Sequence, residues 1–273
     1  MSIAISIIGH NEEAHLRELL PQLKWADEVI YVDCDSDDGS ADYAKSMGCN
    51  VYQRPNNSNF NVNKSFGFEQ ASSDWIFYLD PDERIPSSLK EYLISIDKER
   101  VLTDSVAAFR LPRRNYYFGK WLKHGGKFPD FQVRFFIRGR ARFEQKHVHE
   151  RLQVDGEIET LSEAFEHYPF ESVSHFIKKF DFYSSFQAQK LSESGVSLGF
   201  VSALRFFLLK PLSRFFRRYF LKAGFLDGAV GFFVSFFDAA SFIAQYLFDA
   251  ASFIAQYLKV WTSRRGRKVS YED

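Results

Sequence analysis

Cysteine is scarce in this 273-residue sequence. Its two members, Cys34 and Cys49, stand in no metal-binding spacing, which argues against a disulfide framework and for a reducing compartment. Net charge is missing too: 35 Lys and Arg balance 35 Asp and Glu, so the chain lacks the basic excess of a nucleic-acid binder. There is no Gly-x-x-x-x-Gly-Lys-Ser/Thr, which argues against a P-loop nucleotidase. No Gly-x-Gly-x-x-Gly follows the first apolar run, which argues against a dinucleotide-binding domain. The Gly/Arg/Lys-rich phosphate loop of a nucleotidyltransferase is absent from the same place. No charged leader precedes Ile3 and no cleavage site follows Ile8, so a signal peptide is not expected and the catalytic part is assigned to the cytoplasm.

Apolar side chains, by contrast, make up 45% of the residues, enough for a sizeable core. IAISII (3–8) reads as a strand buried on both faces. Asn11 is positioned to cap a helix over Glu12–Lys24. VIYVD (29–33), Asn50–Gln53 and Trp75–Leu79 read as further strands. Helices are expected over Ala41–Met47, Asn61–Ala71 and Ser87–Glu99, the last opened by Pro86. This alternation with short connections predicts an α/β fold with a doubly wound, mostly parallel sheet. Beyond residue 105 the spacing changes: 105–111, 131–137, 141–145 and 148–154 read as strands, and from Glu171 the chain reads as helical. The expected organisation is a catalytic domain over 1–170, a helical, basic and aromatic region over 171–260 with a further break near 196, and a polar tail over 261–273.

Charge is neutral in sum but not in distribution. From Gly195 to Asp273, eleven basic residues face five acidic ones. Arg205, Lys210, Arg214, Arg217, Arg218 and Lys222 lie among Phe and Leu with no acid between 196 and 226. FDAASFIAQYL occurs at 237–247 and again, identically, at 248–258. Eleven residues make almost three helical turns, so the duplication lengthens a helix while keeping its face nearly aligned. Asp227, Asp238 and Asp249 share that spacing and leave no charge-free stretch near the ~20 residues of a membrane span. An interfacial helix or helical hairpin on an anionic membrane surface is favoured; a packed helical subdomain or a homo-oligomer seam is the alternative.

Ligands of open α/β sheets bind beyond the carboxyl ends of the strands. The first strand ends in Gly9-His10-Asn11-Glu12, the second in an acidic turn from Asp33 to Ser40, the fourth in Asp80-Pro81-Asp82-Glu83. Each alone reads as a solvated turn. Together they point to a hard divalent cation, because crowded carboxylates repel one another without one, and such an ion completes its shell with water and phosphate. His147 and His149 share a face if extended, but a single His-x-His without a third ligand reads as hydrogen-bonding side chains beside Glu150.

The order SIIGHNEE, VIYVDCDSDDGS, DWIFYLDPDER resembles the family 2 glycosyltransferases of the GT-A fold. RLPRRNYYFGKWLKHGGKFPDFQVRFFIRG, ARFEQKHVHERL and YFLKAGFLDGAVGF resemble the bacterial subgroup that includes lipopolysaccharide inner-core β-1,4-glucosyltransferases. The likeness spans about 3–260. Asp35 stands where Gly is usual, Pro81 where Ala is commoner, and the duplicated 11-mer is particular to this chain. The resemblance implies inverting, single-displacement transfer from a UDP-sugar, UDP-glucose foremost, to a lipid-linked saccharide. It also implies a Mg2+ or Mn2+ cofactor and a peripheral position on the inner face of the cytoplasmic membrane. It assigns Asn11, Glu12 and Asp33 to the base and ribose, Lys64 and Arg134 to phosphate, Asp80 to the ribose or the metal shell, and Asp82 to the metal. Asp38 is either a helix cap or part of that site. Lys64, Arg134 and Arg138 are either phosphate neutralisers or ordinary surface charges. Glu83 is expected to pair with Arg84 or to cap the next element. The base is Glu150 or Asp130, with Glu150 favoured by its place in chain order. A polyprenyl-phosphate sugar synthase and a non-catalytic GT-A module docking a membrane assembly stay open.

Overall fold

The structure, a computed structural model, describes residues 1–57, 59–96, 106–145, 150–170, 172–193 and 199–264. The chain divides into two compact units: Met1–Tyr116 with Phe128–Pro169, and Tyr117–Lys127 with Phe170–Asp273.

The first unit is built on a sheet. Its strands are β1 (Ile3–Gly9), β2 (Glu28–Cys34), β3 (Asn50–Arg54), β4 (Trp75–Leu79), β5 (Glu83–Arg84) and β6 (Val106–Tyr117); after β7 (Lys120–Trp121), which belongs to the second unit, come β8 (Asp130–Ile137), β9 (Ala141–Arg142), β10 (Gln153–Val154), β11 (Glu157–Thr160) and β12 (Phe165–Phe170). The order is β3-β2-β1-β4-β8-β6-β12-β5, with β11 beside β6 and β9 with β10 forming a separate pair. β1 runs parallel to β2 and β4, and β2 to β3; β8 is antiparallel to β4 and β6. This is the α/β, GT-A-type arrangement expected, with antiparallel strands added on the β4 side.

The continuous apolar runs have a direct cause. Ile3, Ile5 and Ile7 face Leu16, Leu19 and Leu89, while Ala4 joins Ile30, Phe68, Ile76 and Phe136 in a second core cluster. Both faces of β1 are therefore dry. Helices α1 (Glu13–Leu19), α2 (Ser40–Ser46), α3 (Phe60–Gln70) and α4 (Ser87–Ser95) follow the first four strands. Gly67 lets α3 lie close to β1: a Cβ there would sit 2.6 Å from Ser6 Oγ.

Three local expectations are corrected. Asn11 does not cap α1; its φ is +57° and its side chain accepts from the Asp37 N–H instead. The helix over Glu12–Lys24 stops at Leu19 and tightens into a 3-10 turn, Leu20–Leu23, because Pro21 has no N–H to continue the ladder. The strands expected over 141–145 and 148–154 shrink to Ala141–Arg142 and Gln153–Val154; 146–149, with His147 and His149, lie outside the described residues.

The second unit is helical. Helices Val173–Glu193 and Lys210–Phe216 both pack on the C-terminal helix Gly228–Arg264. Two π-helical segments, Arg205–Leu209 and Arg217–Leu221, flank Lys210–Phe216. The aspartates at eleven-residue spacing turn inward. Asp227 accepts from the N–H groups of Lys123 and His124 and lies 3.0 Å from His124 Nδ1. Asp238 lies 3.5 Å from Lys127 Nζ and 3.0 Å from Arg218 Nε. Asp249 is buried. Segment Gly224–Ala251 is long and apolar enough to cross a membrane by length and composition alone.

Candidate active site

β4 delivers its acidic turn to the sheet's carboxyl edge, and three of the four residues there are already bonded in distinct ways. Glu83 is fully buried, not paired with Arg84. Its carboxylate accepts from the Asp80 N–H at 3.0 Å and meets Arg134 at 2.6 Å and Arg113 at 3.3 Å. Arg84 turns the other way, to Glu18.

Asp80 sits between two cations, Lys64 Nζ at 2.8 Å and Arg134 at 2.9 Å. Burial alone would raise its pKa; the adjacent Lys64 and Arg134 charges outweigh this and hold the carboxyl well below the usual carboxylate range. Arg134 is only 4% exposed along its side chain, and its guanidinium carbon lies 4.2 Å from the Tyr78 ring centre. It is thus neither a surface charge nor an open phosphate arm. Lys64 likewise spends its charge on Asp80. Arg138 is exposed beyond the far end of β8, its N–H donating to the Asp74 carbonyl.

Asp82 has a partner that the sequence reading did not name. His167, on β12, pairs in register with Glu83, and its Nε2 lies 3.5 Å from Asp82 Oδ2. The tautomer follows from the next contact. Asn115 Nδ2 donates to Asp130, which orients Asn115 Oδ1 toward His167 Nδ1 at 2.7 Å. Nδ1 then donates to Asn115, and Nε2 faces the Asp82 carboxylate, as an ion pair when the ring is doubly protonated and across a shared cation when it is not. Two electron-pair donors opposed in this way suit a cation between them, with Asn115 orienting the imidazole from behind. The carboxylate oxygen fits Mg2+ or Mn2+, and the imidazole nitrogen favours the transition metal of the two. Asp80, satisfied by two cations, is the poorer ligand. Among the described residues, no group of three or more His, Cys, Asp or Glu side chains is gathered in metal-holding geometry.

The two candidate bases differ sharply. Asp130 accepts from Arg113, Asn115 and Gln132. Burial opposes its charge, but the Arg113 guanidinium and these hydrogen bonds hold its carboxyl below the ordinary range. Glu150 Oε1 accepts from Asn61 Nδ2 at 3.2 Å; Oε2 is buried with no hydrogen-bond partner among the described residues. Glu150 borders a 660 Å³ cavity shared with Tyr78, Arg110, Phe131 and Phe143.

At the β1 and β2 ends, the loops brace each other. Asn11 N–H donates to Ser36 Oγ, and Glu12 N–H to Ser40 Oγ. Asp33, 1% exposed, accepts from the Ser36 N–H and the Tyr31 hydroxyl, so it holds the turn from below. Burial, and then the Asp33 charge, push the Tyr31 hydroxyl above its usual range, keeping it a donor. Asp38 accepts from Ser40 and Glu13 N–H groups, which makes it the cap of that turn. Asp35 has φ +54°, the left-handed conformation that explains why Gly is usual there; Asp tolerates it better than most residues. Asn11 and Glu12 remain on the rim.

The chain is 26% identical over 259 residues to the lipopolysaccharide core biosynthesis glycosyltransferase LpsC of Rhizobium meliloti (strain 1021), covering 90% of this chain and 93% of that protein. It is 28% identical over 291 residues to an uncharacterized glycosyltransferase of Rickettsia felis, covering 98% of each. Among solved structures, S. aureus TarS 1–349 aligns over 100% of this chain and 94% of that one, with 12% identity and a TM-score of 0.45. The model of glycosyl transferase family 2 matches residues 4–152, the stretch that carries β1 to β4, the Asp80–Glu83 turn and Glu150. Because that match covers more than half of the sequence, the chain belongs to glycosyl transferase family 2.

Proposed function

We propose that this glycosyltransferase moves glucose from UDP-glucose, with inversion, to a lipid-linked saccharide in the synthesis of lipopolysaccharide core or a related cell-envelope glycan. The observation that carries the mechanism is the buried Oε2 of Glu150, without a hydrogen-bond partner among the described residues, on a wide cavity. Glu150 takes the proton from an acceptor hydroxyl as that oxygen attacks the sugar C1. The bond from C1 to the diphosphate oxygen breaks, and UDP leaves with the electron pair. Asn61 fixes the Glu150 carboxylate in orientation. Asp130 is the weaker candidate because its oxygens are engaged by three donors and its basicity is lowered.

Asp82 and His167 would hold a Mg2+ or Mn2+ ion, which when bound supplies positive charge beside the departing diphosphate. Asp80 lies next to them with its charge fixed by Lys64 and Arg134, which suits a hydrogen bond to ribose hydroxyls. Asn11 and Glu12 on the rim are assigned to the base and ribose. LpsC acts in lipopolysaccharide core biosynthesis by name, which supports the acceptor class. The exposed Phe, Leu and Arg side chains of the helical unit support a peripheral position on the inner face of the cytoplasmic membrane.

The test is mass-spectrometric. Purified protein is given UDP-glucose, other nucleotide sugars, Mn2+ or Mg2+, and membrane glycolipid extract. A hexose mass increment on a glycolipid is expected. If no nucleotide sugar is bound or hydrolysed with either ion, the reading fails. Transfer to polyprenyl phosphate that survives loss of Glu150 would replace it with a polyprenyl-phosphate sugar synthase.

A further inference from the structure

Residues 200–221 of the helical unit form one continuous helix in which two α-helical stretches alternate with two π-helical ones. Lys210 N–H donates to the Arg205 carbonyl and Lys222 N–H to the Arg217 carbonyl, each five residues back. Pro211 accounts for the first wide turn, because it has no N–H for the Phe207 carbonyl and its ring would press on that carbonyl. The wide turns shape the outer face. Leu204, Leu208, Leu212, Phe216 and Phe220 recur at four-residue spacing and are all 42–59% exposed. In an uninterrupted α-helix that spacing walks around the axis by about 40° a step, about 160° over the run. Turns with i→i+5 bonds take up part of the drift and keep the five side chains toward solvent. The opposite face is committed to the C-terminal helix: Phe206 is buried and stacks on Tyr246 at 5.3 Å, and Phe215 meets Phe232 at 5.8 Å.

The exposed charge beside this apolar stripe has one sign. Arg205, Arg217 and Lys222 are exposed and meet no carboxylate among the described residues. No acid occurs between 196 and 226. The next three are turned inward: Asp227 and Asp249 are buried, and Asp238 is held by Lys127 and Arg218. This pattern decides what can cover the stripe. A second copy packed on it about a two-fold axis would bring like charges together with no acid between them. An anionic bilayer offers an apolar interior and neutralising phosphates at once. Arg205, Lys210, Arg214, Arg217 and Arg218 bar this helix from crossing the bilayer, so it lies along the surface.

We propose that helix 200–221 lies in the plane of an anionic bilayer, with Leu204, Leu208, Leu212, Phe216 and Phe220 at the boundary of headgroups and acyl chains and Arg205, Arg217 and Lys222 on lipid phosphates. The inference rests on the peripheral position proposed above and gives it an element, an orientation and a depth.

Vesicle flotation of the full chain provides the test. Vesicles of phosphatidylethanolamine and phosphatidylglycerol in equal parts are expected to bind it at least about ten-fold more tightly than phosphatidylcholine alone. Leu212→Glu and Phe216→Glu should each weaken binding at least about ten-fold, and Arg205→Gln about five-fold. Ile94→Glu, which changes a comparably exposed apolar side chain on the sheet unit, should leave binding unchanged. Leu212→Trp reads the depth: lipid brominated high on its acyl chains should quench its fluorescence beyond any quenching of the parent. Unchanged circular dichroism verifies that each variant is folded. The inference is overturned, with the peripheral position left standing on another surface, if the parent binds anionic vesicles and both folded glutamate variants bind like it, or if Leu212→Trp binds without added quenching. It is overturned in favour of a second copy if the parent sediments as a dimer that Leu212→Glu dissociates. If the parent binds no vesicle, the peripheral position falls with it. Hydrolysis of UDP-glucose in solution, which Leu212→Glu should not change, reads the sugar-transfer site separately.

Discussion

The sheet unit and the helical unit treat polarity in opposite ways. In the sheet unit, buried acids and bases are matched side chain to side chain: Glu83 and Asp80 with Arg134, Asp130 with Arg113. In the helical unit Asp227 braces the main-chain N–H groups of Lys123 and His124, and one carboxylate, Asp238, is shared by Lys127 and Arg218. Apolar surface follows the same division. Among the described residues, all the large exposed hydrophobic side chains except Phe60, Ile94, Phe131 and Ile158 belong to the helical unit, with Phe200 at 82% exposure. The lesson is that a site built for chemistry leaves few charges unbalanced, and those few mark the reacting groups.

The largest effect should come from removing one of the groups proposed to hold the metal or to act as the base. Asp82→Asn is expected to abolish metal-dependent nucleotide-sugar binding and transfer, measured by calorimetry with and without Mn2+; unchanged binding would remove Asp82 from that role. Glu150→Gln should lower transfer about 10²–10⁴-fold while UDP-sugar affinity stays near the parental value, a split read from single-turnover kinetics. Changing a matched group should damage the fold instead. Glu83→Gln leaves Arg134 and Arg113 short of a buried counter-charge and should cost about 3–5 kcal/mol in urea unfolding. Glu18→Gln, which breaks the exposed end of the Arg84 pair, should cost less than ~1 kcal/mol.

The matched network also predicts a pH dependence. The folded pKa values of Asp80 and Asp130 are lowered. Their contribution to stability is therefore complete above the unfolded carboxylate value, about 3.9, and is lost as pH falls through the folded values. Unfolding midpoints should drop on the acid side of about pH 4, and Asp130→Asn should flatten that limb. A separate effect concerns the helical surface. Arg217 and Lys222 are exposed, so Arg217→Gln with Lys222→Gln should weaken binding to anionic vesicles by about 2 kcal/mol and reduce its salt dependence. Loss of transfer activity in solution from the same pair would contradict the division of labour.

Much of this was legible in the sequence. The runs at β1, β2 and β4 have a continuous apolar pattern because both sheet faces are covered, and Trp75–Leu79 is found with the bounds expected. The Asp80–Glu83 turn stood out because an apolar run ended in acids. What was hidden depended on tertiary pairing. β5 has two residues and β12 mixes charge with aromatics, so neither carries a two-residue alternation; β12 is a strand because it lies between β6 and β5, and β5 because it pairs with β12. His167 follows Asp82 by 85 positions, and only the Glu83–His167 register brings it near. The burial of Asp33 and the engagement of Arg134 are equally invisible in composition, since a charged residue at a strand end normally faces water. Asp227 and Asp238 read as interruptions of an apolar helix, yet their partners are Lys123, His124 and Lys127, from a segment with no pattern that would join it to the helices, and Arg218.

The tandem 11-mer has a consequence of a different kind. Since the two copies are identical, loss of either one yields the same chain, with residues 1–247 unchanged. Each copy adds about 16 Å of helix and advances its face by about 20°. The reach of the C-terminal helix is therefore counted in whole units, and slippage between the copies can shorten or extend it in a single step without rewriting any residue before Phe248.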